Sequence, residues 1–244
     1  MLRVFLYGIV AGVIGTGLGG VFCAVLGKRS NRFMSLAMSL AGGIMVSIVC
    51  FDLIPEAMGL SSLPLVAVSV LFGAMTVLLL NDMIDTIKFK GEQRAGGERR
   101  LFRAGMTMFA AIALHNFPEG LAIGSGEVIE KGLSMALLLS LHNIPEGIAI
   151  GLPLKMSGVK NVKIIGLTML SGLPTAAGAM VGYLIGLSSP YLIATCLAVA
   201  GGAMLFVSFS EMIVESNKLY RGNAPSVFAV VGILAGVAMM TLAL

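Results

Sequence analysis

The chain has 244 residues, of which 57% are hydrophobic and only 11% charged, and its mean hydropathy is +0.99. A water-soluble domain carries about 25% charged residues, so a surface wetted on all sides is excluded. The net charge of +4 does not indicate nucleic acid, because the basic residues fall in short stretches between apolar runs.

Eight apolar segments follow in order: Val4–Gly27, Phe33–Gly59, Leu63–Ile87, Ala104–Gly124, Leu133–Leu154, Ile164–Leu187, Tyr191–Val214 and Ala224–Leu244. Each is near the ~20 residues that a membrane-crossing helix needs. Barrel strands alternate in polarity and are about half as long, so the spans are helices. The first segment, behind Arg3, continues to Leu26, which is too long for a signal-peptide core. Its Gly8/Gly12 and Gly15/Gly19 pairs suit close helix packing. Cys23, Cys50 and Cys196 lie in separate apolar runs with no C-x-x-C, and read as small hydrophobes rather than a disulfide or thiolate site.

Charge placement sets the orientation. With eight spans, the loops after the first, third, fifth and seventh share one side and hold fourteen of the sixteen Lys and Arg residues, leaving Arg3 and Lys131 on the other. The positive-inside rule places the fourteen in the cytoplasm and both termini outside. The longest loop, about 88–103, contains glycines and mixed charges but neither His nor Cys, and reads as a flexible cytoplasmic linker. The whole chain, 1–244, reads as one polytopic transmembrane domain in the plasma (inner) membrane.

Two internal repeats stand out. Leu114-His115-Asn116-Phe117-Pro118-Glu119-Gly120 returns as Leu141-His142-Asn143-Ile144-Pro145-Glu146-Gly147, and these copies hold the only two histidines. A weaker match joins Gly42–Glu56 to Gly201–Glu215, pairing Asp52 with Glu211 and Glu56 with Glu215. In both repeats the partners lie on spans that run in opposite directions. The expected architecture is therefore an all-α membrane protein of eight helices, with spans 1–3 and 6–8 as inverted repeats around a central pair, 4 and 5.

On a helix His115 and Glu119 share a face at i, i+4, as do His142 and Glu146. Pro118 and Pro145 cannot donate a backbone hydrogen bond, which leaves the carbonyls of Leu114 and Leu141 without their helical partners. Asn116 and Asn143 add amide oxygens beside the histidines. Imidazole with carboxylate suits zinc and its first-row neighbours, whereas calcium or magnesium sites are built from oxygens. An acidic side chain at the bilayer centre costs about 2.5–3.5 kcal/mol on insertion scales, a penalty that a bound dication removes. Hydrogen bonds between membrane helices average about 0.6 kcal/mol, too little to justify two buried carboxylates as simple glue. Asp52, Glu56, Glu211 and Glu215, near the ends of their spans, are candidates for admitting and releasing the ion. Met45 and Met204 read as packing residues among seventeen methionines.

The paired motif resembles that of the ZIP family of divalent-metal transporters, in particular its GufA-like branch. The resemblance implies a non-enzymatic protein that moves a divalent metal toward the cytoplasm. Zinc is the usual substrate, with Fe2+, Mn2+ or Cd2+ in some members, and homodimers are common. It further implies a binuclear site between spans 4 and 5. His115, Glu119, His142 and Glu146 form the primary site; Asn116, Asn143 and the shared glutamates contribute to the second. Branch members often carry a glutamate after Ser-Gly-Leu in span 6, where this chain has Ser171-Gly172-Leu173-Pro174-Thr175. Thr175 in that place implies a weaker second ion, or none. A passive channel of the same fold and a non-transporting metal sensor are the competing readings. A membrane metalloprotease is disfavoured because neither histidine opens an H-E-x-x-H sequence.

Overall fold

The computed structural model describes residues 1–26, 30–86, 96–124, 126–185 and 189–243; some side chains within these, His142 among them, lie outside the description. Eight helical rods follow one another: α1 (Leu2–Val25), α2 (Asn31–Leu60), α3 (Leu63–Thr86) and α4 (Gly96–Ile123) form the first half. The second half comprises α5 (Gly126–Met156), α6 (Asn161–Ser171, resuming as Leu173–Ile185), α7 (Pro190–Leu219) and α8 (Ala224–Ala243). Among the described residues, six of these are long and apolar enough to cross a membrane by length and composition. The other two, α4 and α5, have 28 and 31 residues, also more than the ~20 that a span requires. The protein is an all-helical membrane protein.

Local chemistry accounts for several boundaries. The Ser30 hydroxyl accepts from the Phe33 N–H at 3.2 Å and caps α2. Pro190 opens α7 in its first turn, where a missing N–H costs nothing. Lys155, in the last turn of α5, donates to the Ala24 carbonyl at the end of α1 (3.1 Å) and to Asn161 Oδ1 at the start of α6 (2.6 Å). Three chain segments are thereby tied at one end of the bundle.

Some elements differ from the sequence expectation. Gly96–Arg103, expected in the linker, form the opening turns of α4. Glu98 sits in the first turn, where the helix dipole favours an acid, and Leu101 is buried. Residues 88–95 of that linker lie outside the described residues. Span 6 is interrupted at Gly172, just before Pro174, which has no N–H to offer Leu170. Cys50 is exposed, unlike buried Cys23. Helices α1, α2 and α7 each contain a π-helical turn, at Ile9–Ile14, Val49–Leu53 and Ser208–Ile213. The last two hold Asp52 and Glu211, the matched acids of the weaker repeat.

Helix α1 packs on α5 and α6, α4 on α5, α6 and α7, α2 on α8, and α3 on α7. Helices α3 and α8 are 22% buried over their apolar windows against 61% for α1 and α2, so they form the outer wall. Gly8 and Gly12 meet the backbone of α6, while Gly15 and Gly19 meet that of α5, as their small-residue spacing suggested. A methyl group on Gly120 would strike the Thr175 carbonyl of α6, and one on Gly147 the Thr16 carbonyl of α1. Methionines 34, 38, 45, 108, 204 and 212 fill the core where α2, α4 and α7 approach.

Candidate metal centre

The motif helices run unbroken through Pro118 and Pro145 and bring their polar residues into the interior. His115, Asn116, Asn143 and Glu146 are each no more than 2% exposed, and Glu119 is 8% exposed. His115 Nε2 lies 2.9 Å from Glu146 Oε1, so the two copies meet across the α4–α5 contact. Glu119 neighbours both Glu146 and Asn143.

The asparagines are fixed by their nitrogen ends. Asn116 Nδ2 donates to the Ser171 carbonyl at the break in α6 (2.8 Å), and Asn143 Nδ2 donates to the Ala11 carbonyl in the π turn of α1 (2.9 Å). Irregular backbone frees carbonyls, and each amide satisfies one. Both amide oxygens then remain without a hydrogen-bond partner. So do both carboxylate oxygens of Glu119, Oε2 of Glu146, Nδ1 of His115 and the Thr175 hydroxyl. Whether His115 Nδ1 donates or accepts follows from its tautomer. The unpaired amide and carboxylate oxygens are all acceptors. A protein interior rarely leaves such atoms unpaired, and only a proton donor or a cation can satisfy acceptors.

Among the described residues, no three His, Cys, Asp or Glu side chains are disposed as a ready metal-holding group. His115 and Glu146 are engaged with each other, and the side chain of the fourth primary residue, His142, lies outside the description. Thr175 is fully buried on α6, beside Gly12 of α1.

The four end-of-span acids occupy different surroundings. Asp52 and Glu56 are exposed on α2. Glu211 accepts from Asn81 Nδ2 of α3 (3.1 Å), and Asn81 Oδ1 accepts from the Thr107 hydroxyl of α4 (3.1 Å). Glu215 is buried against Arg100, with Lys218 3.5 Å from its other oxygen. The sequence reading missed Thr107, Asn81 and Arg100. Thr107 had a signal: it lies two i+4 steps before His115, on the same face of α4.

Comparison with known proteins decides the family. The family pattern described as ZIP Zinc transporter matches residues 90–243. The chain belongs to the ZIP zinc transporter family. It is 32% identical to the zinc transporter ZupT of Chlorobium luteolum, over 95% of this chain and 93% of that protein. It is 30% identical to ZupT of Akkermansia muciniphila, covering 100% and 97% of the two chains, and 34% identical to the zinc transporter GufA of Myxococcus xanthus, covering 86% and 89%. As a ZIP protein it is a transporter and not an enzyme, and the GufA resemblance of the motif extends over most of the chain.

Proposed function

We propose that this ZIP protein carries zinc across the plasma (inner) membrane toward the cytoplasm, through a site between α4 and α5. His115, Glu119, His142 and Glu146 grip the ion, and Asn116 and Asn143 supply further oxygens. The observation that carries this reading is the cluster of buried carboxylate and amide oxygens that make no hydrogen bond. A bound dication supplies the positive charge that buried carboxylates lack, and mixed nitrogen and oxygen donors select a transition-type ion over magnesium or calcium. Fe2+, Mn2+ and Cd2+ are the secondary candidates.

Direction rests on the sequence. The fourteen basic residues of the odd-numbered loops face the cytoplasm in this reading, and both termini lie outside. The inverted repeat is supported by matched packing: α1 lies on α5 as α6 lies on α4, and α2 on α8 as α7 on α3. The register agrees as well. Gly43 approaches the Ala229 carbonyl and Gly202 the Val70 carbonyl, a pair of contacts displaced by the same 159 residues as the weaker repeat. Such pseudo-symmetry favours a carrier that presents one central site to either side over a passive channel. Thr175 in place of a carboxylate points to one tightly held ion per protomer. We further propose a homodimer, as in other members of the family.

Zinc uptake into proteoliposomes tests the reading. The parent takes up zinc saturably, and His115→Ala and Glu146→Gln each reduce uptake by about a hundredfold or more, the scale expected for losing a ligand that acts in every turnover. Uptake that survives either substitution within a few-fold would remove the site from the transport path.

A further inference from the structure

Helix α4 meets its neighbours in two ways. Against α6 it is locked by glycine: added methyls on Gly120, Gly124 and Gly178 would run into opposing backbone. The α3–α7 pair is locked likewise through Gly73 and Gly202. Between α4 and α7, among the described residues, no glycine brings the two backbones together. Beside the metal centre the seam between α4 and the α3–α7 pair is hollow. A cavity of about 280 Å3 opens there, lined by Phe72, Leu114, His115, Pro118 and Val199.

The seam closes at one end through polar contacts. Arg100, in the opening turns of α4, donates from Nε (2.8 Å) and a terminal nitrogen (2.7 Å) to the same carboxylate oxygen of Glu215 on α7. Glu215 is only 4% exposed, so the pair is shielded from solvent on its acidic side. About two turns further along α4, the Thr107–Asn81–Glu211 chain makes a second crossing.

The matched acids at the other end differ in burial. Asp52 and Glu56, which pair with Glu211 and Glu215 in the repeat, are exposed. In the 27-residue register between the motif copies, the α5 position that matches Arg100 is Glu127, an acid. One end thus sets a cation against its carboxylate, and in the matched register of the other the sequence has an acid where the arginine stands.

We infer that Arg100 and Glu215 form an ionic latch that holds the cytoplasmic end of the α4–α7 seam shut until the ion is to be released. Glu215 then serves as a positioning residue rather than a stopping place for zinc. The assignment of this end to the cytoplasm rests on the proposed orientation.

The test is a thiol-accessibility measurement on the full-length protein in inside-out vesicles. Ala111, fully buried on α4 between Thr107 and His115, is replaced by cysteine after Cys23, Cys50 and Cys196 are changed to alanine. A membrane-impermeant maleimide is then added from the cytoplasmic side. Labelling is slow with the latch intact and about tenfold faster in Arg100→Gln and in Glu215→Gln, the change expected for losing a charge-assisted hydrogen bond. The swap Arg100→Glu/Glu215→Arg restores slow labelling to within about twofold, a rescue that a merely structural role of either residue would not give. Parent-like labelling in the single variants, or a swap as fast as they are, overturns the latch. Arg100 is half-exposed, so Arg100→Gln carries the test if Glu215→Gln does not insert. Labelling is read without metal, so a protein that moves no zinc would refute the transport reading while leaving this one to be judged by itself.

Discussion

The two copies of His-Asn-x-Pro-Glu-Gly share a sequence but not an environment. On α5, Glu146 is fully buried and one of its oxygens is held by His115. On α4, Glu119 is slightly more exposed and neither oxygen has a partner. The asparagines differ only in what they anchor: the break of α6 for Asn116 and the π turn of α1 for Asn143. The motif therefore fixes the helix, the face and the anchor. The role of each acid is set by what the other copy presents to it: Glu146 is pre-oriented, and Glu119 is left unpaired.

The largest expected effect that would sharpen this contrast is on the two glutamates. Glu119→Gln and Glu146→Gln both abolish zinc uptake, yet they should move metal-free stability in opposite directions. The Glu119→Gln amide brings two N–H donors into a cluster of unpaired acceptors and raises the apparent melting temperature by about 2–6 °C. Glu146→Gln weakens a charge-assisted bond to His115 and lowers it by a similar ~2–6 °C. Thermal unfolding followed by circular dichroism suits a chain that has no Trp to report by fluorescence. Shifts of the same sign would show that the two acids are equivalent after all. A smaller effect is expected at the anchors. Asn116→Ala and Asn143→Ala each leave a buried carbonyl unpaired, a cost of about 1–3 kcal/mol, and each should slow uptake by about tenfold. Rates that differ by much more than twofold between the two would mean that α1 and α6 are not interchangeable supports.

Much of this was legible in the sequence. The eight helices follow from hydropathy, because a chain in lipid must satisfy its backbone within each helix. The meeting of the two motifs in the interior agrees with a sequence that sets carboxylates and imidazoles where burial is expensive. The close contacts of Gly8, Gly12, Gly15 and Gly19 follow from their spacing. What stayed hidden was of two kinds. The π turns at Val49–Leu53 and Ser208–Ile213 lie in helices apolar on nearly every face, where a shift of period leaves no trace in the pattern. Arg100 with Glu215, and Asn81 with Thr107 and Glu211, are partnerships between distant segments, which only the packing of α3, α4 and α7 brings together. The same packing sets the four end-of-span acids, alike in sequence, in different surroundings: the α2 pair is exposed, and the α7 pair meets α3 and α4.

The most direct test of the central claim is to locate the ion itself, by anomalous diffraction at the zinc edge from protein crystallised with zinc. The account predicts a strong peak between α4 and α5, about 2.0–2.2 Å from nitrogen of His115 or His142 and from oxygen of Glu119 or Glu146. It predicts one strong site per protomer, with Thr175 outside the ligand set. A peak confined to Asp52 and Glu56 at the exposed end of α2, with the α4–α5 interior empty at saturating zinc, would contradict it.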